Sequence, residues 1–497
     1  MLPSPSFSDP VDNYKYPAFK NLSNPFMSNM LIPQEEHIPV TAMARIVAIY
    51  PTIRHEGHSK LVLKIDENGI VERGDWVGTS SLRGFEKLSI GKGMDQVPKI
   101  VSRVCGICPV AHLLAGVGAI EASVGCEIPQ DARNLRMIIH CASRLSVQVL
   151  HSLMVLPDFY LPGTDTRINP FSEEPQVRKI ANRIQRLRQI GQEIVQIAGG
   201  EAIHPSNPRV GGMDRNVSSR AKIKMFDLTK EAIPLTYEHV ECMISLIRNF
   251  QKRERVEIGG KEVPVPPTLG YHSQGYLATD PLYGTSSLED HPSWDLARYS
   301  EVSPWGWYGG RDEVTFEDPA YPGGGTSPVG TIVDPRMEAC PSVPLYDGQP
   351  VEVGAAARLT RFRNFGERGT IGQLVARQME CTQALHELLN TIDHLDPAGP
   401  VLADTIPRGD GTIGWATNEA PRGTLVHIAN VKNRRVLSYA TAVPTTWNMP
   451  TAGKALAGSP WQLAEFIIRG YDPCISCATH MIVLGPDRRI VADRMIL

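Results

Sequence analysis

Residues 134–156, NLRMIIHCASRLSVQVLHSLMVL, decide the fold class of this 497-residue chain. Their apolar side chains point to almost every side of a helix, which is typical of a helix buried at the centre of a bundle. A second segment, residues 175–200, is amphipathic and ends at a glycine pair, a common helix terminator. Its apolar face carries Ile180, Ile184, Leu187, Ile190 and Ile194. Both patterns predict long helices that pack against each other.

Two further segments carry a helical period. Residues 367–395 predict one helix. Residues 218–253 predict either one long helix or a pair broken near Pro234, because proline removes a backbone hydrogen bond. We therefore expect a mainly α protein with a helix-bundle core and smaller β elements.

The regions around the bundle differ from it in composition. Residues 1–40 are rich in Pro, Ser and Asn without a clear period, and we expect an arm that lies on the surface or on a partner. ARIVAIYPTI and KLVLKID then predict a strand pair, and the turn at residues 67–69 predicts a hairpin before a third strand. Residues 256–350 are dense in Gly, Pro, Tyr and Trp, which indicates a β-rich insertion rather than a solvated linker.

The charge and hydropathy patterns argue against several classes of protein. With 50 Lys and Arg against 53 Asp and Glu, the net charge is -3, so the chain lacks the basic character of a nucleic-acid binder. No apolar run approaches the ~20 residues of a membrane span, and the first residues carry no export signal. We expect a soluble, cytoplasmic protein without a membrane span.

The cysteines do not form a disulfide framework, since there are nine of them, an odd number. Five stand alone in sequence, and we expect them to be buried free thiols. They are Cys126, Cys141, Cys242, Cys340 and Cys381.

The other four cysteines form two Cys-x-x-Cys pairs, a spacing that places both sulfurs on one side of a turn, close enough to share a metal. They are Cys105 and Cys108 in RVCGICPVAH, and Cys474 and Cys477 in DPCISCATH. A zinc ribbon would need the pairs ~15 to 20 residues apart, whereas about 365 residues separate them. A thioredoxin-like redox motif would not need a second copy. These residues alone leave two hypotheses open: structural zinc bound across the fold, and a soft transition-metal centre.

The residues around the cysteines resemble the large subunit of nickel–iron hydrogenases. Beside the two cysteine motifs, further motifs stand in the order and spacing of that family. They are RHEGHSKL (54–61), RGFE (83–86), IHPSNPRVGG (203–212), YDGQPVEVG (346–354), EAPRG (419–423) and VPTTWN (443–448). The resemblance implies a mostly helical catalytic domain over residues 41–480, which buries a nickel–iron centre and works with a separate iron–sulfur small subunit.

The resemblance also implies how the metals are held and what they do. Cys105 and Cys474 would be terminal nickel thiolates, while Cys108 and Cys477 would bridge nickel to iron. The iron would carry carbon monoxide and cyanide. The implied activity is heterolytic cleavage of H2 to hydride and proton, with a terminal thiolate such as Cys474 as the nearby base.

Three more residues would serve the reaction, by the same resemblance. Arg422 in EAPRG matches an arginine that reaches over the metals, and the alternative is a surface ion pair. Asp472 would orient this arginine through a charge-assisted hydrogen bond. Glu56 matches a carboxylate that passes protons outward, a task that suits a buried acid with a raised pKa.

Other matched residues would surround the iron and bind a second ion. His112 would hydrogen-bond a bridging thiolate, and Thr445 together with Pro421 would seat a cyanide. The second ion, magnesium or iron, would be bound by Glu86, the carbonyl of Thr441 and His480.

One position departs from the family pattern. Many relatives place an acid or a serine near the metals in the helix after the first cysteine motif, where this chain has Val147 between Ser146 and Gln148. The resemblance therefore leaves the polar surroundings of the metals open at this position.

The C-terminal residues predict a maturation step. In the family a protease cuts after the histidine of the second cysteine motif once nickel is bound. We therefore expect residues 481–497 to be a removable extension, with maturation chaperones and an endopeptidase as partners. The alternative is a permanent C-terminal strand, because MIVLG and RRIVAD favour strands.

SCATH and CGICP resemble the cytosolic, bidirectional, multi-subunit branch of the family. Its members pass electrons to a flavin unit that serves NAD(P) or a deazaflavin coenzyme, or to a heterodisulfide/ferredoxin pair. The chain length favours the NAD and heterodisulfide types over the shorter deazaflavin type.

Two alternatives to a catalytic hydrogenase remain. They are a hydrogen-sensing regulatory relative and a non-catalytic structural relative that is held together by a metal. The quinone-site subunit of respiratory complex I shares the fold but lacks the four cysteines.

Overall fold

The computed structural model describes seven stretches of the chain. They are residues 45–79, 83–273, 275–289, 294–302, 313–316, 325–328 and 343–479. The predicted arm (1–40), His480, the predicted extension (481–497), Cys340 and most of 303–342 lie outside these stretches.

Helices dominate the described residues, which confirms the prediction of a mainly α protein. In chain order they are α1 (Phe85–Ser89), α2 (Val97–Val101), α3 (Pro109–Val124), α4 (Gln130–Val155), α5 (Pro175–Gly199), α6 (Ser219–Gln251), α7 (Ala355–Arg363), α8 (Gly369–His394), α9 (Pro444–Leu456), α10 (Ala464–Gly470) and α11 (Ile475–Ala478).

The four long helices form the bundle core. α4 packs against both α5 and α8, and α6 also lies against α5 and α8. The five apolar residues predicted on one face of α5 are all buried, so the helical period identified the correct face. The same helix begins where the Glu174 carboxylate accepts the N–H of Val177 at 2.8 Å, and it ends at Gly200.

Residues 219–251 form one continuous helix, with Pro234 inside it. The alternative of two helices broken at this proline is therefore wrong. Ala232 and Thr236 on either side are fully buried. Packing against the bundle thus keeps both halves aligned, although the proline removes one backbone hydrogen bond.

The expectation that no apolar run reaches membrane-spanning length was too strict. Among the described residues, one helical stretch, Gln130–Asp158, is long and apolar enough to cross a membrane. However, 78% of its most apolar window is buried inside the chain. A core helix passes the same test, so this stretch is only weak evidence for a span.

The N-terminal strand prediction is confirmed. β1 (Arg45–Ile49), β2 (Ser59–Ile65) and β3 (Val71–Gly78) form an antiparallel sheet in the order β1-β2-β3. The turn between β2 and β3 is closed by the N–H of Ile70, which donates to an Asp66 carboxylate oxygen at 2.8 Å. The turn residues therefore predicted this hairpin correctly.

Short strands occupy the middle of the chain, from residue 208 to residue 352. They are β4 (Pro208–Arg209), β5 (Gly212–Met213), β6 (Arg255–Ile258), β7 (Lys261–Pro264), β8 (Gly275–Tyr276), β9 (Tyr299–Val302), β10 (Glu313–Phe316), β11 (Gly325–Pro328), β12 (Val343–Tyr346) and β13 (Val351–Glu352).

A second three-stranded sheet was not predicted from the sequence. β14 (Asp410–Ala420), β15 (Gly423–Lys432) and β16 (Arg435–Ala442) form an antiparallel meander that packs on α3. Ala420 pairs with Gly423, so Pro421 and Arg422 form a two-residue hairpin turn. A Cβ at position 423 would lie 2.4 Å from a Val353 side-chain carbon, so only glycine fits this approach. The sheet thereby carries the EAPRG motif to the centre of the molecule.

Candidate metal centre

The four cysteines of the two Cys-x-x-Cys pairs lie at the beginnings of two helices. Cys108 is the N-cap of α3, which Pro109 starts, and Cys105 precedes it in extended backbone. Cys474 is the N-cap of the short helix α11, and Cys477 lies within that helix. In each pair, the two cysteines thus lie at the start of one helix.

The fold brings the two pairs together. The Sγ atoms of Cys105 and Cys474 are 3.3 Å apart, as are those of Cys108 and Cys477, and the sulfurs of Cys474 and Cys477 are 3.0 Å apart. All four sulfurs lie within 4.8 Å of one another, and none of the four residues is more than 6% exposed. Residues about 365 positions apart in sequence therefore form one buried thiol cluster.

This cluster needs a cation if the thiols are to ionise together. Burial raises the pKa of Cys474 and of Cys477 well above the usual thiol value. Hydrogen bonds from Cys105 and the two other cysteines lower the pKa of Cys108 well below it. Neighbouring buried thiolates repel one another, and a bound metal removes that cost because it coordinates the deprotonated sulfur.

Arg422 lies beside this cluster and is paired with Asp472. Its Nε donates to the Asp472 backbone carbonyl at 2.7 Å, and its Nη2 donates to the Asp472 carboxylate at 3.0 Å. Both residues are buried, at 5% and 4% exposure, so the alternative of a surface ion pair is wrong. Burial acts to lower the pKa of Arg422, but Asp472 and then the cysteines raise it well above its usual value.

One nitrogen of the Arg422 guanidinium is left without an acceptor among the described residues. This nitrogen is Nη1, and it is buried. A buried N–H without a partner costs free energy, so native structures seldom leave one unpaired. The orphaned donor and the soft thiolate set together fit a transition-metal centre that carries an acceptor group, and they fit a closed zinc staple less well.

Gln148 and Arg377 supply polar groups near the position where Val147 departs from the family. Val147 itself lines a small cavity of about 50 Å³ beside Gly106 and Ile107. One position on, the Gln148 amide donates to the Pro421 carbonyl at 3.2 Å and accepts from Arg377 at 3.1 Å. These polar neighbours were missed because they come from the next helical position and from another helix.

Arg377 also binds the segment that carries the second cysteine motif. Its Nη2 donates to the Tyr471 carbonyl at 2.9 Å, and its Nη1 lies 3.4 Å from the second oxygen of the Asp472 carboxylate. Burial acts to raise the pKa of Asp472, but Arg422, His151 and Arg377 lower it below its usual value. Asp472 is thus held between two arginines.

Glu56 also contacts the thiol cluster. Its Oε2 lies 3.2 Å from Cys474 Sγ and accepts the N–H of Ser476 at 2.9 Å, while its Oε1 accepts the Ser476 hydroxyl. The side chain is half-buried, whereas the sequence hypothesis assumed a buried acid. Ser476 is the serine of SCATH, a stretch that in the sequence indicated only the branch of the family. The sequence did not predict its contact with Glu56.

His112 and Thr445 also contact the cysteine motifs. His112 Nε2 lies 3.4 Å from Cys477 Sγ, and the Thr445 hydroxyl accepts the Cys474 N–H at 3.0 Å. Pro421 follows β14 in the hairpin turn, next to Arg422. The structure therefore brings His112 and Thr445 to the cluster and places Pro421 next to Arg422.

Glu86 and Thr441 meet at one end of the second sheet. The Glu86 carboxylate accepts the Thr441 N–H at 2.6 Å and the Thr441 hydroxyl at 3.1 Å, and both residues are buried. The predicted third ligand, His480, lies outside the described residues. These contacts show that Glu86 and Thr441 lie side by side, as two ligands of one ion would have to do.

Arg83 is a further residue that the sequence hypothesis missed. Its Nη2 donates to the carbonyls of Val104 and Ser476, and its backbone N–H donates to Thr479 at 2.9 Å. One guanidinium thus ties together the two cysteine motifs. The RGFE motif contains this arginine and could have indicated its importance. From the sequence, however, only Glu86 of this motif received a proposed role.

The remaining described cysteines are free thiols, as predicted. Cys126, Cys141 and Cys381 are buried, and burial raises the pKa of the Cys141 thiol to about 12. Cys242 is only half-buried. None of these residues belongs to the thiol cluster.

Comparison with known proteins agrees with this geometry. Residues 83–156 and 364–480 match the family model described as nickel-dependent hydrogenase. The coenzyme F420 hydrogenase subunit alpha of Methanosarcina barkeri is 56% identical over 454 residues, which cover 91% of this chain and 100% of the relative. The subunit of the same name from Methanothermobacter thermautotrophicus is 37% identical over 455 residues, with 91% and 100% coverage.

A solved structure shares the fold. A variant of the [NiFeSe] hydrogenase from Desulfovibrio vulgaris Hildenborough superimposes with a TM-score of 0.68 at 22% identity. The match covers 88% of this chain and 100% of that one. Similarity therefore extends over nearly the whole described part of the chain.

Proposed function

Because this chain belongs to the nickel-dependent hydrogenase family as a large, catalytic subunit, we propose that it cleaves and forms H2 reversibly and exchanges electrons with coenzyme F420 through partner subunits. The observation that carries the proposal is the buried cluster of four thiols within 4.8 Å, next to a buried arginine with an unpartnered N–H.

Cys105, Cys108, Cys474 and Cys477 would hold the nickel–iron centre. The thiolates Cys105 and Cys474 are the proposed terminal ligands of nickel, and Cys108 and Cys477 are the proposed bridges to iron. When bound, the centre supplies an electrophile at which H2 is polarised and split heterolytically. The chain itself then has two tasks: to take up the proton, and to keep the pocket closed to water.

The proton has a short route out of the pocket. The Cys474 sulfur is the proposed first acceptor, and the Glu56 carboxylate stands 3.2 Å from it. Two hydrogen bonds from Ser476 orient that carboxylate towards the sulfur. Since Glu56 is half-buried, it connects the buried thiolate with the protein surface, which is the geometry that a proton-transfer group requires.

Arg422 would keep a fixed positive charge over the reacting H2. Its two contacts with Asp472 use Nε and Nη2, and the unpartnered Nη1 is the donor that we propose to face the site. A guanidinium held in this way stabilises negative charge that develops in the transition state, and no reorganisation is needed at that moment.

The iron is proposed to carry carbon monoxide and cyanide. Thr445 and the Pro421 segment would seat a cyanide, because a hydroxyl and backbone N–H groups suit that small acceptor. Glu86, the Thr441 carbonyl and His480 are the proposed ligands of a magnesium or iron ion.

The partners and the acceptor rest on the relatives. An iron–sulfur small subunit is the proposed electron carrier, since the described free cysteines outside the cluster are isolated from one another in sequence. A flavin subunit would pass the electrons on to F420, a deazaflavin.

The length of the chain predicted the NAD or heterodisulfide type rather than the deazaflavin type. However, this chain matches the full length of the two F420 relatives, so chain length does not separate the types. We place the assembly in the cytoplasm.

Residues 481–497 are proposed to be removed by an endopeptidase after nickel insertion. The intact mass of the purified subunit tests this proposal. A mass that ends at His480 supports it, and a retained tail supports the permanent strand instead.

The decisive experiment is an infrared spectrum of the anaerobically purified complex, with metal analysis of the same sample. Metal-bound cyanide and carbonyl bands together with nickel would support the catalytic proposal. Zinc without these bands would show that the four cysteines bind a structural zinc ion. The acceptor is then tested by incubating the complex under H2 with F420 or with NAD⁺, and reduction of NAD⁺ alone would contradict the F420 proposal.

A further inference from the structure

A buried row of three ring groups leads away from the thiol cluster. His112 Nε2 lies 3.4 Å from Cys477 Sγ, and His112 Nδ1 lies 3.1 Å from His427 Nε2. His427 Nδ1 in turn lies 2.6 Å from the Tyr439 hydroxyl. The four residues are 6% exposed or less, so water does not compete for these contacts.

The second sheet and α3 together build this row. His427 pairs with Thr441 across β15 and β16, and Ala429 pairs with Tyr439, so His427 and Tyr439 share one face of the sheet. His112 comes from α3, which packs on this sheet. The row therefore depends on the contact between two separate elements.

Gly116 leaves the space that the Tyr439 hydroxyl occupies. It lies four residues after His112, on the same face of α3. A Cβ at this position would come within 3.1 Å of the Tyr439 hydroxyl and 3.0 Å of a Val101 methyl group. A methyl group here would require the phenol or the valine to shift by a few tenths of an ångström, so the glycine leaves room for the tyrosine.

When Cys477 is a thiolate and both imidazole rings are neutral, the contacts of the row permit only one arrangement of protons. A thiolate only accepts, so His112 must present an N–H at Nε2. The neutral ring then has a bare Nδ1, which needs a donor, and His427 provides one at Nε2. Its own Nδ1 is therefore bare and must accept from the Tyr439 hydroxyl, a group that keeps its proton at neutral pH.

We propose that Tyr439 and His427 are positioning residues that fix the tautomer of His112, so that its Nε2–H donates to the Cys477 thiolate. This inference rests on the proposed function, in which Cys477 binds the metals. In the row it is His112 that contacts the Cys477 sulfur. The two positioning residues act through His112, as partners behind a ligand-contacting group commonly do.

The proposed hydrogen bond from His112 would control the electron density on the Cys477 sulfur. A hydrogen bond to a thiolate withdraws charge from it, and less charge then passes to the iron. If the row is broken, His112 is free to carry its proton on Nδ1 and the sulfur regains that charge. The effect reaches the iron although the tyrosine lies three hydrogen bonds away.

The test compares infrared spectra of the holo-complex carrying Tyr439→Phe, His427→Leu or His427→Gln. Phenylalanine removes the terminal donor and leucine removes the middle link. Both are expected to move the iron carbonyl band to lower wavenumber, because the sulfur donates more charge. Glutamine keeps one donor and one acceptor on the side chain, so the band is expected to return to the wild-type position. Tyr283→Phe is the control, since Tyr283 is a partly buried tyrosine beside another histidine, His140.

The proton order itself is read from ¹⁵N NMR of complexes labelled in histidine. Protonated and bare imidazole nitrogens have well-separated shifts, and His112 is assigned by its absence in His112→Gln. The proposal expects the His112 proton on Nε2 in the wild type and a mixture of tautomers in Tyr439→Phe. An unchanged tautomer, together with bands identical to the wild type in Tyr439→Phe, would overturn it.

These readouts separate this inference from the proposed function. Wild-type spectra without carbonyl and cyanide bands would refute the nickel–iron assignment, and NMR of the thiolate-bound metal form would still decide the proton order. Nickel content and circular dichroism identify any variant that fails to fold. If His427→Leu fails in this way, Tyr439→Phe and His427→Gln still decide the question.

Discussion

Arg422 donates two hydrogen bonds to Asp472. Its Nε donates to the backbone carbonyl at 2.7 Å, and its Nη2 donates to the carboxylate at 3.0 Å. Asp472 has a left-handed backbone conformation, with φ 52°. An aspartate tolerates this conformation better than most residues. The arginine is thus attached to the segment that carries the second cysteine pair, and the two are positioned as one unit.

Arg422→Lys is expected to retain the metals but to slow H2 turnover by about 100-fold or more, equivalent to a few kcal/mol of transition-state stabilisation. A lysine keeps the charge but has no planar fork, so it cannot bind Asp472 at two points and also face the site. H2 uptake and nickel content are measured on the same sample. Arg434→Lys, at a half-exposed arginine paired with Asp95, is the control. Near-normal turnover in Arg422→Lys would remove this residue from the mechanism.

Cys474→Ala is expected to abolish H2 activity and nickel retention together, because one of four ligands is lost. Metal analysis of the purified complex measures this. Cys141→Ala serves as a matched control, since Cys141 is an equally buried free thiol outside the cluster. It should keep its nickel and lose only the stability expected for a small core truncation. Full nickel occupancy in Cys474→Ala would refute its assignment as a ligand.

Glu56→Gln is expected to keep the nickel and to slow turnover by about 10² to 10⁴-fold, the usual range for the loss of a proton-transfer group. The amide keeps the size of the side chain and can still accept from Ser476, but it cannot take up a proton. H2 uptake is measured beside metal content. Glu465→Gln is the control, because this carboxylate binds the nearby Ile53 N–H and has no contact with the cysteines. Equal rates in the two variants would exclude Glu56 from the proton route.

Arg358→Met is expected to destabilise the protein by about 3 to 5 kcal/mol at neutral pH, because it leaves buried carboxylates without their partner. Arg358 binds Glu380 at 2.5 Å and Glu419 at 3.0 Å, and all three residues are buried. Arg186→Met, at an exposed pair with Glu231, should cost less than about 1 kcal/mol. Thermal unfolding followed by circular dichroism compares the two variants.

The destabilisation by Arg358→Met should depend on pH. Burial acts to raise the pKa of Glu380, but Arg358 and Arg144 lower it below its usual value. The stability from this group is therefore present above the ordinary carboxylate pKa of about 4.3, and it is lost as pH falls through the lowered value. The difference between wild type and Arg358→Met should be largest at neutral pH and shrink below about pH 4. A difference that is constant over this range would contradict the assignment.

Local signals in the sequence predicted most of the helical core. The apolar face of α5 follows from residues three and four positions apart, and such spacings depend only on helix geometry. Pro234 was the exception: the local cost of a proline is visible in the sequence, but the packing that outweighs it is not. The sheet of β14 to β16 also escaped notice, since it is buried against α3 and its strands lack a clear alternation.

The sequence by itself determined the chemistry that this protein can hold: two Cys-x-x-Cys pairs, the EAPRG and RGFE motifs, and the long helices that enclose them. Only the tertiary structure decided which groups serve those motifs. The contacts of Arg377 with Asp472 and Gln148, and the row from Tyr439 to His112, bring together residues that lie far apart in the chain. Hydrogen bonds depend on distances of a few tenths of an ångström between packed elements. Local sequence patterns set the period of each element but not its distance from the next.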